Sequence, residues 1–236
     1  MIDRVLALDA GGLSSSLSLP EQEKIRVILL THHHFDHTRD LLTLGFNIAF
    51  WQGHIEVYAL RHTLDVLIPC LLDGKIYVNF LEFPSVEKPL LHLKTIEPYR
   101  KEVILGYEVL ALPVRHSVPA VGYQISSPGG KNLFYTGDTG PGLSTCWQHV
   151  SPHVLITEIS GPNKFTDELT RSGHFSPRSL KEELVQFRKL KGYMPRVVLI
   201  HIAPPYERKI RDEVAEIAGE LGADISLGYE GMKLIL

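Results

Sequence analysis

The sequence predicts a mixed α/β protein in which sheets are covered by helices. Three observations carry this. Short runs rich in β-branched and apolar residues alternate with helical periodicity from one end of the chain to the other. Turn chemistry such as Pro128-Gly129-Gly130 joins neighbouring runs as hairpins. No linker and no internal repeat interrupts the pattern, so residues 1–236 read as a single domain.

In chain order, Arg4–Asp9 reads as a strand ending at Gly11-Gly12, and Arg26–Thr31 as a buried strand. From Asp36 to about Leu44 the pattern is helical, with Leu41, Leu42 and Leu44 on its apolar side. Ile55–Leu60 is a strand, and Arg61–Leu72 a helix with a proline near its end. Residues 75–113 read as mostly β, with Ile76–Phe80 and Val109–Val114 the clearest pieces. Val121–Ser126 and Leu133–Thr136 flank the Pro-Gly-Gly turn, and His153–Glu158 is a further strand. Ser176-Pro177 opens a helix to about Leu190, because Ser caps free amides and Pro suits the first helical position. Arg196–His201 is a strand, Glu207–Leu221 a helix, and Met232–Leu236 a closing strand.

At 44% hydrophobic and 22% charged residues the chain has material for a sizeable core and lacks the signature of disorder. A net charge of −3 supplies no basic footprint for nucleic acid. The two cysteines, Cys70 and Cys146, lie far apart without CxxC spacing; they read as buried free thiols, and a reducing compartment fits. The N-terminus carries no signal-peptide pattern and no stretch is long enough to span a bilayer, so a cytoplasmic protein is expected.

Twelve histidines stand out, several of them clustered. Directly after a strand comes Thr31-His32-His33-His34-Phe35-Asp36-His37, which contains HxHxDH. Residues two apart on an extended strand end point the same way, so His32 and His34 can converge on one ion. Asp36 and His37 follow where the chain turns into a helix and can aim at a second. Imidazole and carboxylate suit zinc. The competing reading is a polar loop that happens to be His-rich. It leaves the imidazoles and carboxylate crowding one another without purpose. His33 alternates away, and His54, His62, His92, His149 and His153 lack companions. His116, Asp138 (in Thr136-Gly137-Asp138-Thr139-Gly140) and His201 each emerge at a strand end, where sites are usually built. Tyr77, Phe80 and Phe83 could form a base-stacking wall, but core packing is the commoner use.

The order HxHxDH, then His, Asp and His, resembles the metallo-β-lactamase superfamily over nearly the whole chain. The resemblance implies an αββα sandwich with the site at one edge. It further implies that His32, His34 and His116 hold one metal, that Asp36, His37 and His201 hold the other, and that Asp138 bridges both. Family members begin with a strand pair ahead of the segment matching Leu6–Gly11, so incomplete N-terminal strands are expected. THHHFDH also looks like glyoxalase II. His116…Gly122-Tyr123, Ser172-Gly173-His174-Phe175-Ser176-Pro177 and TGDTGP resemble the branch holding RNase Z and the class II cyclic-nucleotide phosphodiesterases. By that likeness His174 stabilises the transition state or protonates the leaving oxygen, and Glu158 orients it; Asp36 is counted with the catalytic residues too.

The expected function is therefore hydrolysis of a phosphodiester, such as a small cyclic nucleotide, by a hydroxide shared between two divalent ions. Zinc is the first choice, with manganese or iron acceptable. The alternatives are a tRNA 3′-end endonuclease like RNase Z, a glyoxalase II-like thioester hydrolase, and a non-catalytic metal-binding scaffold. Among partners a small phosphodiester is favoured over nucleic acid, no membrane is expected, and a homodimer is the default for a soluble protein. Specificity is expected in the walls between residues 52 and 110.

Overall fold

A computed structural model describes residues 1–50 and 53–235; Gln52, in the expected specificity wall, and Leu236 lie outside it. Two compact units make up the chain, Met1–Glu97 and Pro98–Leu236.

The first unit contains, in order, β1 (Leu6–Leu8), α1 (Leu13–Ser16), α2 (Leu19–Gln22), β2 (Val27–Leu29), α3 (Phe35–Thr38), α4 (Asp40–Ala49), β3 (Ile55–Ala59), α5 (Arg61–Cys70), β4 (Pro84–Ser85), β5 (Lys88–Pro89) and β6 (Leu91–Thr95). Strands β1, β2, β3 and β6 form a parallel sheet in that order. β2 is buried along its whole length, as expected of a continuous apolar run inside a parallel sheet. Helix α4 turns Leu41, Leu44 and Ile48, spaced three and four apart, into a core with Ile28, Leu30, Val57, Leu64 and Leu67. Truncating Leu41 or Leu44 to Ala there would cost about 2–5 kcal/mol.

Ile76–Phe80 is not a strand. The Asn79 side-chain oxygen accepts from Leu81 N–H at 3.0 Å, and its carbonyl accepts from Phe83 N–H at 2.9 Å, so turn chemistry wins over β propensity. Phe80 enters the core, while Tyr77 and Phe83 are 40% and 42% exposed, with ring centroids 6.0 and 6.1 Å from Phe80. The fourth strand of the sheet is instead β6.

The second unit contains β7 (Lys101–Ile104), β8 (Tyr107–Val114), β9 (Ala120–Ser126), β10 (Asn132–Tyr135), α6 (Ser144–His149), β11 (Val154–Glu158), α7 (Thr166–Ser172), α8 (Pro177–Lys191), β12 (Arg196–Ile200), α9 (Glu207–Leu221) and β13 (Ile225–Leu227). They include one sheet in the order β13-β12-β11-β10-β9-β8-β7. It is antiparallel from β7 to β10 and parallel from β10 to β13. β8, β10, β11 and β12 therefore run the same way and end at one edge. Helices α6, α8 and α9 cover the sheet through Trp147, Leu180, Leu184, Phe187, Ile210 and Val214, packed with Leu112, Phe134, Leu155 and Leu199. Ser176 caps α8 with Pro177 behind it, as the sequence predicts. The expected strand at Met232–Leu236 is absent among its described residues; β13 takes the sheet edge instead. Cys146 is buried, but Cys70 is exposed at the end of α5, contrary to the expectation for both. No described helix is long and apolar enough to cross a membrane.

Candidate metal centre

In the first unit the HxHxDH segment leaves β2 and starts α3. His32 and His34 have ring centroids 4.6 Å apart, and His32 and His37 4.3 Å. His37 Nε2 lies 3.5 Å from Asp36 Oδ2. His33 turns instead toward His62, at 5.5 Å between rings, where burial first and the charges of His34 and His62 next depress its pKa.

The turn is held by Asp9, which the sequence reading had treated only as the end of a strand. Its Oδ1 accepts from Thr31 N–H at 2.7 Å, and the Thr31 hydroxyl lies 3.1 and 3.0 Å from its two oxygens. Its Oδ2 accepts from His37 Nδ1 at 2.8 Å. With the Thr31 hydroxyl proton on Asp9, the Thr31 oxygen accepts from His32 Nδ1 at 2.9 Å. One buried carboxylate thus assigns the Nδ1–H tautomer to two imidazoles and makes Nε2 the lone-pair atom of each. Gly11 makes this packing feasible, since a Cβ there would sit 1.6 Å from the Asp36 carbonyl oxygen.

In the second unit the expected residues leave the co-directional strand ends: His116 after β8, Asp138 after β10, Glu158 at the end of β11, and His201 after β12. His201 Nε2 lies 3.2 Å from Asp138 Oδ2. His116 donates from Nδ1 to the Gly173 carbonyl at 3.1 Å, which makes Nε2 its lone-pair atom, with the Ser117 hydroxyl 3.4 Å from it. The αL residue Gly173 (φ +81°) lets its loop press on His116, because a Cβ would approach His116 Cα to 2.7 Å. The same loop brings His174 within 4.9 Å of the His116 ring.

Glu158 is 0% exposed, and four groups satisfy it. Oε1 accepts from His174 Nδ1 at 2.6 Å and Thr139 N–H at 3.1 Å; Oε2 accepts from the Ser160 hydroxyl at 2.8 Å and Phe175 N–H at 3.2 Å. Burial raises its pKa; the hydrogen bond and charge of His174 pull it back down. Ser160, which sequence reasoning passed over, also lies 2.8 Å from His201 Nδ1 and 3.1 Å from His174 Nδ1. The signal was present: Glu158 and Ser160 are two apart at a strand end, a spacing that sends both to one side. Glu158, His174 and His201 have donor atoms close enough to hold an ion together. The Nδ1 atoms of His174 and His201, however, are engaged by oxygens of this hydrogen-bonded set, so the trio is support for a site. Of the remaining histidines, His153 accepts from Asn132 N–H at 3.0 Å, a structural role.

Each unit thus offers imidazole Nε2 and carboxylate oxygens, a donor set that fits zinc and similar borderline divalent ions. The Nδ1 of His32, His37, His116 and His201 is committed elsewhere by hydrogen bonds, as expected of metal-ligating imidazoles.

An octanoyltransferase of Porphyromonas gingivalis is 24% identical over 216 residues, 91% of this chain; the chain spans only 38% of that relative's length. Among solved structures, yeast PDE1 superposes with a TM-score of 0.78 at 22% identity, covering 90% of this chain and 69% of its own. YhfI of Bacillus subtilis, a metallo-β-lactamase fold protein, gives 0.73 at 17% identity, covering 98% and 88%. The short form of human tRNase Z gives 0.67 at 18% identity, also covering 98% and 88%. The family model of the beta-lactamase superfamily domain matches residues 9–202, from the Asp9 anchor to just past His201. The chain belongs to the beta-lactamase superfamily.

Proposed function

We propose that the protein is a metal-dependent phosphodiesterase whose natural substrate is a small phosphodiester, with a cyclic nucleotide as the leading candidate. The observation that carries this reading is the shared commitment of Nδ1 in His32, His37, His116 and His201, which prepares each Nε2 as a ligand. Supporting it, the fold is shared with yeast PDE1 and the short form of human tRNase Z. In this proposal His32, His34 and His116 hold one ion, Asp36, His37 and His201 the other, and Asp138 serves both. Zinc is the first choice. Bound there, two divalent ions supply Lewis-acid charge for the phosphoryl oxygens and make a water nucleophilic near neutral pH.

The chain's own residues do the rest. His174 is held through Nδ1–H by Glu158, so Nε2 is the atom that takes up a proton from solvent and, as part of an imidazolium, passes it to the leaving oxygen. Glu158, excluded from solvent, fixes the ring and stabilises it when charged. Asp36 is solvent-exposed and supplies a carboxylate at the open side of the turn, a ligand role more than a proton-transfer one.

A screen of metal-loaded protein against cyclic nucleotides, linear dinucleotides, tRNA precursors and a bis-aryl phosphodiester tests the reading. Turnover of a small diester is expected. Cleavage of tRNA precursors alone would select the endonuclease. A full metal complement without turnover of any diester would sink the phosphodiesterase.

A further inference from the structure

We infer that Ser160 is a positioning residue that ties two histidines, His201 and His174, to one carboxylate, Glu158. The hydroxyl has one proton and two lone pairs. Its neighbours are Glu158 Oε2 at 2.8 Å, His201 Nδ1 at 2.8 Å and His174 Nδ1 at 3.1 Å. Glu158 Oε2 also receives Phe175 N–H, and Oε1 receives Thr139 N–H and His174 Nδ1, so the carboxylate is an acceptor on every side. The Ser160 proton therefore goes to Glu158. The oxygen is left to accept, and at 2.8 Å its partner is His201 Nδ1–H. Ser160 extends Glu158 to His201 Nδ1.

With Nδ1–H given to Ser160, Nε2 is the atom of His201 turned to Asp138 Oδ2, 3.2 Å away. His174 and His201 are stacked, with centroids 5.5 Å apart and planes 10° from parallel. Through Ser160 the proposed metal ligand and the proposed proton donor hang from the same anion. Backbone geometry supports a placed side chain: Ser160 N–H donates to the Phe175 carbonyl at 3.1 Å, tying it to the His174 loop. Glu158 and His174 alone would form a complete pair; the third link belongs to Ser160.

The inference deepens the proposed function but is tested apart from it. In metal-free protein, long-range nitrogen–proton correlation spectra report the His201 tautomer without any substrate. Wild type and Ser160→Thr should show Nδ1–H; Ser160→Ala should shift His201 toward the Nε2–H form that free imidazole prefers. Zinc competition against a chelator should show one ion bound about 10–100-fold more weakly in Ser160→Ala, in line with outer-shell changes generally, and Ser160→Thr within about threefold of wild type. An unchanged tautomer with zinc affinity within twofold in a folded Ser160→Ala protein would overturn the inference. So would failure of Ser160→Thr to rescue a folded protein. Loss of phosphodiesterase activity in every arm with these two readouts intact would instead discard the function and leave Ser160 standing.

Discussion

Two parts of the molecule solve one problem with the same parts. In the first unit Asp9 holds His37 directly and His32 through the Thr31 hydroxyl; in the second, Glu158 holds His174 directly and His201 through the Ser160 hydroxyl. The difference lies in what is held. Both imidazoles on Asp9 are proposed ligands, so that half only has to be rigid. Glu158 serves one proposed ligand and one proposed acid, so its half couples ion binding to proton delivery. A buried carboxylate with a hydroxyl extension is thus a general way to fix two rings, and the ring at each end decides its use.

The sharpest break of this comparison is Asp138→Ala, which removes the proposed shared ligand rather than a support. Metal content and turnover should both fall by more than the ~10–100-fold typical of outer-shell changes; metal analysis beside the diester assay reads this, and full activity would end the bridging role. Next come the two carboxylates themselves. Asp9→Asn should weaken both ions, by about 10–100-fold. Glu158→Gln should weaken one ion and lower kcat at saturating metal beyond the loss in occupancy. Equal patterns in the two variants would erase the distinction drawn above.

The packing glycines sharpen it further. Gly11→Ala drives a methyl into the Asp36 carbonyl, and Gly173→Ala drives one into His116 while forcing φ +81° on a side chain. Each should cost about 3 kcal/mol, the upper part of the overpacking range, measured as a lower denaturation midpoint. Gly11→Ala should disturb the His32–His37 turn and spare His174, and Gly173→Ala the reverse. The smallest effect concerns the thiols. Burial pushes Cys146 from 9.0 to about 11, so a disulfide-exchange reagent at pH 8 should label Cys70 alone in the native protein. With the folded pKa above the unfolded one, that burial contributes fully below about pH 9 and is lost as pH rises through about 11.

The parts legible from sequence were those where chemistry and local pattern coincide. HxHxDH announces itself by spacing. Helix α8 is written by Ser176-Pro177, and α9 by the i, i+4, i+7 run of Ile210, Val214 and Ile217. The less legible parts depend on what lies across space. Ile76–Phe80 has the composition of a strand but meets the Asn79 turn, whereas polar Leu91–Thr95 is a strand because β3 offers it an edge. Asp9 and Ser160 look ordinary in a linear reading. Their importance comes from hydrogen bonds that span 28 and 41 positions, to His37 and to His201.

Two of these residues sit on unusual backbone. Asp9 (φ +59°) and His201 (φ +57°) occupy the left-handed region without being glycine. That conformation costs each about 1–2 kcal/mol, which the surrounding bonds must offset. Glycine at His201 would relieve that cost while removing the imidazole; at Asp9 it would also leave the buried Thr31 N–H and His37 Nδ1–H without their acceptor. Backbone ease and chemistry therefore pull His201 in opposite directions, whereas at Asp9 the same carboxylate serves both the fold and the rings it holds.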